Sequence, residues 1–432
     1  MNQEAENTKL FAPLSLRGVV LPNRVLISPM SQYSAVDGVV QDWHRYHVAG
    51  MARGYPGSVM LEVAAVTRDG RGTPGDLGIW SDEQIAGLAE LARIIEAHGV
   101  VPAIQIGHAG RKASMQRPWE GGQPLALDSS DEAWQAVGAS ALPIQDGWPA
   151  PRQLAQRELA GLVDSFRAAA ARAVQAGYRF VEVHAAHGYL LHSFLSPISN
   201  QREDQYGGSL ENRMRFPLEV VAAVRAALPD EVPLSVRISA VDGVEHGWQL
   251  ADSIVFAREL KALGVDLVDC SSGGIQGSAT AGKGPQAVKR GPGFQVPFAH
   301  AVRQQAGIAT IAVGLIVEPA QAEAILEREQ ADLIAIGREA LQNPNWPLHA
   351  RQGAGRRPRL QRLAGAVRLV AAAPAQGGVG RGQVADRRLR PGRAALARVT
   401  PPAGRPAAAL AARPTAPRFH AWRSAAPPCR RP

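Results

Sequence analysis

The sequence predicts an α/β fold, a TIM (β/α)8 barrel, over residues 1–350, and two observations support this prediction. Eight short runs rich in β-branched and apolar residues alternate with helix-like stretches, which is the order of a parallel sheet covered by helices. The runs are apolar on both faces, as buried parallel strands are, and about 350 residues suits such a barrel with insertions. The predicted strands are 24–29, 58–66, 101–106, 179–184, 233–238, 265–271, 308–313 and 331–336.

The stretches between these strands have the periodicity of amphipathic helices. The clearest stretch runs from Glu158 to Gln175. Its apolar residues, such as Leu159, Leu162 and Phe166, recur at helical spacing, and a glycine, Gly177, follows as a stop signal. The same pattern predicts three further helices, at Asp82–His98, Asp252–Leu263 and Pro319–Arg328.

A doubly wound sheet is the alternative to a barrel. That fold typically carries a glycine-rich dinucleotide fingerprint between its first strand and the following helix. None of the predicted strands is followed by such a fingerprint, so the barrel is the preferred prediction.

One connection is too long for a plain loop. About forty residues, Arg111–Pro151, separate the third strand from the next helix, and they include Trp119, Trp134 and Trp148. Long ordered excursions of this kind are often lids over an active site. A surface insertion is the other interpretation, and the sequence leaves both open.

The net charge of +9 combines an acidic body with a basic tail. Residues 1–350 contain 29 Lys and Arg against 37 Asp and Glu, whereas residues 351–432 contain 18 Arg, no Lys and one acid, Asp386. The body therefore carries −8 and the tail +17. The charge gives no support for a nucleic-acid partner of the body.

The sequence predicts a cytoplasmic protein with no membrane partner. The first residues, MNQEAENTKL, lack the apolar core of a signal peptide, and no run approaches the roughly 18 apolar residues of a membrane span. The two cysteines, Cys270 and Cys429, lie far apart. They predict no disulfide framework and no metal cluster of the usual spacing, and a reducing compartment fits.

The candidate site residues follow from the predicted fold, because the active site of a (β/α)8 barrel lies at the carboxyl ends of its strands. The residues at those ends are Ser28, Pro29, Met30, Ser31 and Tyr33 after the first strand, Gln105 on the third with His108, Arg111 and Lys112 following it, His184, His187 and Tyr189 after the fourth, Arg237 on the fifth, Gly314 after the seventh, and Gly337 and Arg338 after the eighth.

The chemistry of these residues disfavours several functions. They include no pair of carboxylates, no strand-end Lys for a Schiff base, and no third ligand to complete a metal site with His184 and His187. Two neutral imidazoles can instead hold a carbonyl oxygen, and Tyr189 can deliver a proton. Glycines and Arg338 at the last two strands suit a phosphate. The residues thus predict a pocket for a phosphorylated planar cofactor and a carbonyl substrate.

The chain resembles the Old Yellow Enzyme family of FMN-dependent ene-reductases, closest to its bacterial thermophilic-like branch. The most specific stretch is HAAHGYLLHSFLSPISNQREDQYGGSLENRMRF, from His184 to Phe216. LPNRVLISPM, GRGTPGDLGIWSDEQ, IQIGHAGRKAS, DLVDCSSGG and LIAIGREALQNPNWP support it in the expected order, and the resemblance covers residues 10 to 350.

The resemblance implies one FMN, hydride from NADPH or NADH, and reduction of the C=C bond of an enone or related activated alkene by a ping-pong mechanism. It implies that His184 and His187 bind the substrate carbonyl, that Tyr189 donates the proton, and that Tyr33 lines the substrate side. The implied FMN-binding residues are Ser28, Pro29, Met30, Ser31, Val63, Gln105, Arg237, Gly314, Gly337 and Arg338. Two alternatives are an inert flavin-binding barrel and a lyase or isomerase that uses only the phosphate site.

The tail departs from the family pattern. The family normally completes the last helix and adds a short segment that often reaches a neighbouring subunit. Here 82 residues, 351–432, contain 21 Ala, 18 Arg, 11 Pro and 9 Gly. We interpret the tail as an unstructured, frame-shifted end; a basic arm and a low-complexity linker are alternatives. A homo-oligomer is expected to be weakened by this change, and the last barrel helix is expected to be incomplete.

Ser31 is the second departure, because many members of the branch have Cys at this position. Serine lacks the polarizable sulfur that packs on a flavin ring. We therefore expect Ser31→Cys to keep its FMN and to change the flavin midpoint potential, measured by spectroelectrochemical titration. Equal midpoint potentials for the two proteins would contradict this expectation.

Overall fold

The computed structural model describes residues 8–128, 132–277 and 286–353. All of them fall within one compact unit, Met1–Ala373. The tail predicted to be unstructured comprises residues 351–432. Residues 351–353 instead end a helix, Trp346–Gly353, and residues 354–432 lie outside the described residues.

The fold is the predicted (β/α)8 barrel. The strands in chain order are β1 (Leu14–Leu16), β2 (Val19–Leu21), β3 (Val25–Ile27), β4 (Ser58–Ala65), β5 (Val101–Gly107), β6 (Val137–Gly138), β7 (Arg152–Gln153), β8 (Phe180–Ala185), β9 (Leu234–Ser239), β10 (Leu267–Ser271), β11 (Ala309–Ala312) and β12 (Leu333–Ile336). Eight of these close a parallel barrel in the order β3-β4-β5-β8-β9-β10-β11-β12. Each coincides with one predicted strand.

The helices are α1 (Asp42–Arg53), α2 (Ile85–Ala97), α3 (Gln156–Gln175), α4 (Leu190–Leu195), α5 (Leu210–Ala227), α6 (Leu250–Ala262), α7 (Val296–Ala306), α8 (Pro319–Glu327), α9 (Arg338–Gln342) and α10 (Trp346–Gly353). The four predicted helices correspond to α2, α3, α6 and α8. The sequence predicts that α2 begins at Asp82. In the structure Asp82–Gln84 form a short 3-10 turn before α2, and Ser81 and Gln84 cap the start of this turn. On α3, Leu159 and Phe166 are fully buried, as their spacing predicts.

The barrel interior is apolar at its amino end. The antiparallel hairpin of β1 and β2 contributes Leu16, Val19 and Leu21 to a cluster with inward residues of the barrel strands, among them Phe180 and Leu267. This hairpin therefore closes the bottom of the barrel. Because side chains alternate across a strand, the polar residues that follow at every second position face the same interior, nearer the carboxyl end.

A larger apolar cluster fills the layer between the strands and the surrounding helices, and it includes Phe166, Phe194, Phe216 and Phe256. The apolar cluster inside the barrel and this outer cluster are both closely packed, so they form a rigid base beneath the site. Within the parts of the chain that the structure describes, no helix combines the length and apolar character needed to cross a bilayer.

Candidate active site

Two adjoining cavities open at the carboxyl end of the barrel. The first has a volume of about 580 Å³ and the second about 350 Å³, which is the range of small-molecule sites. Pro29, His187 and Arg237 line both. Every site residue named from the sequence lines at least one of them: Ser31, Tyr33, Val63, Gln105, His184 and Tyr189 the first, and Ser28, Met30, Gly314, Gly337 and Arg338 the second.

The strand register brings the polar residues together. His184 on β8 lies opposite Arg237 on β9, and Arg237 lies opposite Asp269 on β10. One layer deeper, Gln105 on β5 lies opposite Glu182. Since neighbouring residues in register share one face of the sheet, these side chains meet inside the barrel.

The two histidines stand side by side in the wall of the first cavity. His184 Nε2 and His187 Nδ1 are 3.4 Å apart, and the rings meet edge to face at 5.2 Å. Burial is the main cause that lowers the pKa of each imidazole well below its ordinary value, and the charge of Arg237 adds to it. Both rings are therefore neutral near pH 7.

The outer nitrogen of each ring has a fixed partner. The Ala186 backbone N–H donates to His184 Nδ1 at 3.2 Å, so the proton of this ring is on Nε2. His187 Nε2 lies 2.6 Å from Ser271 Oγ, which also accepts a bond from Gln295 Nε2 at 3.0 Å. When the Ser271 hydroxyl donates to His187 Nε2, the remaining proton of that ring is on Nδ1. Two N–H groups then face the space between the rings, where an oxygen could accept both.

Tyr189 completes this wall of the cavity. Its ring stacks on His184 at 4.5 Å with 17° between the planes. Burial is the main cause that raises the pKa of the phenol, and the charges of Asp76 and Glu62 add to it. The phenol therefore holds its proton at neutral pH.

Arg237 is the buried cation between the two cavities. Its Nε lies 3.3 Å from Asp269 Oδ2, and its Nη1 donates to Ser28 Oγ at 3.4 Å. Below it, Gln105 Nε2 donates to Glu182 Oε1 at 2.8 Å and Ser235 Oγ donates to Oε2 at 2.8 Å. Burial, with a smaller contribution from Asp269, raises the pKa of Glu182 to about 8.

Glycine shapes the second cavity. Gly314 has φ +114°, and a Cβ there would lie 2.6 Å from Gln295 Oε1, so this position requires glycine for its backbone conformation and for space. Gly337 and Arg338 line the same cavity. Gln105 and Arg237 carry donors that could bond the polar edge of a planar ring. Gly314, Gly337 and Arg338 leave room and a positive charge for a phosphate, so the residues present suit a phosphorylated planar cofactor.

The long excursion forms part of the first cavity. Among its described residues, those that line the cavity are Lys112, Met115, Gln116, Pro118, Gly122, Ile144 and Trp148. Arg111 ties the segment down, because its guanidinium donates to the carbonyl oxygens of Leu142, Pro143 and Ile275. Trp119 meets Tyr33 edge to face at 5.8 Å. The excursion therefore contributes to the wall of the first cavity, and its role as a lid stays a prediction.

Several residues of the site were missed from the sequence. Glu182 and Asp269 could have been found, because they share the inward face of their strands with His184 and Ser271. Ser271 ends the sixth predicted strand, yet Gln295 reaches it from a distant segment that carries no sequence signal. Asp76 lines the first cavity from a loop, and loop geometry is not encoded in a periodic pattern.

The fold and the site define a class of protein, a barrel whose carboxyl end suits a phosphorylated planar cofactor beside a wall that contains two neutral histidines. Residues 9–356 match the NADH:flavin oxidoreductase / NADH oxidase family. The chain is 41% identical to an NADPH dehydrogenase of Geobacillus sp. (strain WCH70) over 350 residues, which cover 81% of this chain and 95% of that protein. It is 44% identical to an NADPH dehydrogenase of Bacillus pumilus over 342 residues, 79% of this chain and 93% of that one.

A solved structure agrees with these relatives. Morphinone reductase in complex with tetrahydroNAD is similar with a TM-score of 0.66 and 30% identity, and the match covers 83% of this chain and 95% of that chain. This chain belongs to the NADH:flavin oxidoreductase / NADH oxidase family. It is an oxidoreductase that uses FMN with NADH or NADPH, and the resemblance to Old Yellow Enzyme is confirmed. A family of oxidoreductases argues against the lyase or isomerase alternative.

The raised pKa of Glu182 predicts a dependence of stability on pH. Because the folded protein holds this proton up to about pH 8 and the unfolded chain releases it near its ordinary pKa, stability falls as the pH rises between these values. Glu182→Gln keeps an oxygen that accepts from Gln105, and its amide N–H can donate to the Ser235 hydroxyl, so the variant retains two contacts but does not titrate. We expect the wild type to lose roughly 3–4 kcal/mol more than the variant between about pH 5 and 8.5 in denaturant unfolding of the FMN-loaded enzyme.

The control for this measurement is Glu259→Gln, which removes an exposed carboxylate from α6. The difference in unfolding free energy between this control and the wild type should not change over the same pH range. If the difference in unfolding free energy between Glu182→Gln and the wild type is also independent of pH, the raised pKa of Glu182 is refuted.

Proposed function

We propose that this chain reduces the C=C bond of α,β-unsaturated carbonyl compounds, with NAD(P)H as hydride donor and a ping-pong order of binding. The observation that carries the proposal is the pair of neutral imidazoles, His184 and His187, whose inner nitrogens lie 3.4 Å apart beside a protonated tyrosine. That arrangement suits a carbonyl oxygen, which accepts two hydrogen bonds, and a neighbouring carbon, which takes a proton.

Bound FMN would supply the chemistry of hydride transfer from the nicotinamide to an electron-poor carbon. Gln105 and Arg237 are proposed to bond the pyrimidine edge of the ring, where negative charge grows on reduction. The Asp269 carboxylate holds the guanidinium of Arg237 by an ion pair, and Arg237 still lines both cavities. Gly314, Gly337 and Arg338 are proposed to hold the phosphate. Ser28, Pro29, Met30, Ser31 and Val63 are proposed to lie along the ring.

The histidines activate the substrate in this proposal. Hydrogen bonds from His184 Nε2 and His187 Nδ1 draw electron density onto the carbonyl oxygen, which makes the β-carbon a better hydride acceptor. Tyr189 then donates its proton to the α-carbon, and its stacking on His184 holds the phenol in place. Tyr33 lines the same cavity and is proposed to contact the substrate.

The shape of the site supports the ping-pong order. The histidines and Tyr189 line the first cavity, about 580 Å³ in volume, and the phosphate-binding residues line the second. The nicotinamide and the enone would both occupy the first cavity next to the FMN ring. The oxidised nicotinamide must then leave before the enone enters.

Removing both imidazoles tests the carbonyl-binding role. We expect His184→Ala with His187→Ala to retain the flavin absorption spectrum and to lower kcat/KM for cyclohexenone at least about 100-fold, the usual effect of lost oxyanion donors. His98→Ala, outside the site at the end of α2, is the control and should keep full turnover. Full turnover by the double variant would overturn the proposal.

Ser271 is proposed as a positioning residue for His187. Without its hydroxyl the ring can move its proton to Nε2 and lose the Nδ1–H donor. We expect Ser271→Ala to lower kcat for cyclohexenone about 10-fold, with a smaller change in KM. Ser271→Thr keeps the hydroxyl and should restore most of the activity. Equal activity in the alanine variant and the wild type would exclude this role.

A further inference from the structure

Lys112 is a charged group of the first cavity that the proposed reaction does not use. It ends the short turn Gly110–Lys112 after β5 and lines the cavity. Its ammonium donates to the carbonyl oxygen of His187 at 2.6 Å and points toward that of Gly277 at 3.5 Å. Both acceptors are neutral, so neither balances its charge.

Arg237, the other cation that lines this cavity, has a counter-charge in the Asp269 carboxylate. The Asp76 carboxylate, like Lys112, has neutral partners, the Gly72 N–H at 2.8 Å and the Thr73 hydroxyl at 2.7 Å. Lys112 forms no ion pair with any carboxylate of residues 8–128, 132–277 and 286–353. The charge that acts on it is that of Arg111, a second cation.

An ammonium group in this setting lacks a counter-charge. Burial, assisted by the repulsion from Arg111, lowers the pKa of Lys112 to about 7, so desolvation of the charged form costs free energy that an anion could offset. With two of its three N–H groups directed at backbone oxygens, a third is left for a ligand. A carboxylate in the cavity would supply the missing negative charge.

The ammonium is also close to the carbonyl-binding wall. Its hydrogen bond to the His187 carbonyl joins it to the residue whose imidazole faces the substrate. The charge of Lys112 contributes to the lowered pKa of both His184 and His187. A short substrate could therefore contact Lys112 and the imidazoles at the same time.

We propose that Lys112 selects substrates that carry a carboxylate, which binds the ammonium while the conjugated carbonyl binds His184 and His187. This inference rests on the proposed ene-reduction and narrows its substrate class to unsaturated oxo acids. The neutral ester of the same acid lacks the charge and is the poorer substrate.

The test compares 4-oxopent-2-enoate with its methyl ester, using FMN-loaded enzyme. In the wild type we expect kcat/KM to be higher for the acid, and in Lys112→Met we expect the acid-to-ester ratio to fall about 10- to 100-fold. A general structural defect would lower both rates and leave the ratio unchanged. Lys261→Met is the matched control, because Lys261 also donates to a backbone carbonyl, that of Gly307 at 2.6 Å, but lies exposed on α6; its ratio should equal that of the wild type.

A binding measurement separates this inference from the proposed reaction. Benzoate and benzamide are titrated into the oxidised FMN-loaded enzyme, and the flavin absorbance reports each dissociation constant. The preference for benzoate should be largest below about pH 7 and decline above it, because the ammonium then loses its proton. This experiment needs no variant, so a misfolded Lys112→Met protein does not prevent it.

The outcomes are distinct. Reduction of the ester with no preference for the acid overturns the selection by Lys112 and leaves the ene-reduction standing. A preference that survives in Lys112→Met also overturns it. A preference for benzoate that declines above about pH 7, in an enzyme that reduces neither enone, supports the anion site and removes the proposed reaction.

Discussion

The burial of side chains at the carboxyl end of the barrel is the constraint on which the site depends. Burial lowers the pKa of His184 and His187 and raises that of Tyr189. A neutral imidazole keeps one N–H to donate, and a neutral phenol keeps the proton that it can deliver. One physical cause thus prepares two hydrogen-bond donors and one acid at neutral pH, without a strong base in the wall of the cavity.

The ion pair of Arg237 and Asp269 lies in the barrel interior, where the strand register places the two side chains together. Arg237 and Asp269 lie opposite each other on adjacent strands, so their contact follows from the pairing of β9 with β10 and needs no loop. Glu182 sits one layer deeper, between Gln105 and Ser235, where two hydrogen bonds satisfy a carboxyl group whose pKa burial raises. The carboxyl end of the barrel therefore combines one charged pair with one group that favours its protonated form.

The sequence could reveal the residues whose role depends on their position along a strand. His184, His187 and Arg237 are polar residues at the ends of apolar runs, and the fold puts all such ends on one face of the barrel. Ser271 and Gln295 could not be paired, because their contact joins segments 24 residues apart. Gly314 was named from its place after the seventh strand, but its φ and its proximity to Gln295 are visible only in the structure. Arg111 bonds Leu142 and Pro143 of the excursion, whereas Lys112 bonds the carbonyl of His187, a difference that the sequence does not show.

His187 shows how these contacts reinforce one another. Its φ of 57° lies in the left-handed region, which costs about 1 kcal/mol or more in a residue with a Cβ. Its N–H donates to Ser239 Oγ at 2.9 Å, its carbonyl accepts from Lys112, and its imidazole meets Ser271. A Cβ on Gly274 would lie 2.4 Å from the Cα of His187, so the loop after β10 requires glycine at this position. The backbone of His187 is thus held by contacts from β9 and from the loop after β5, and its ring by β10, which keeps the imidazole in position before any substrate arrives.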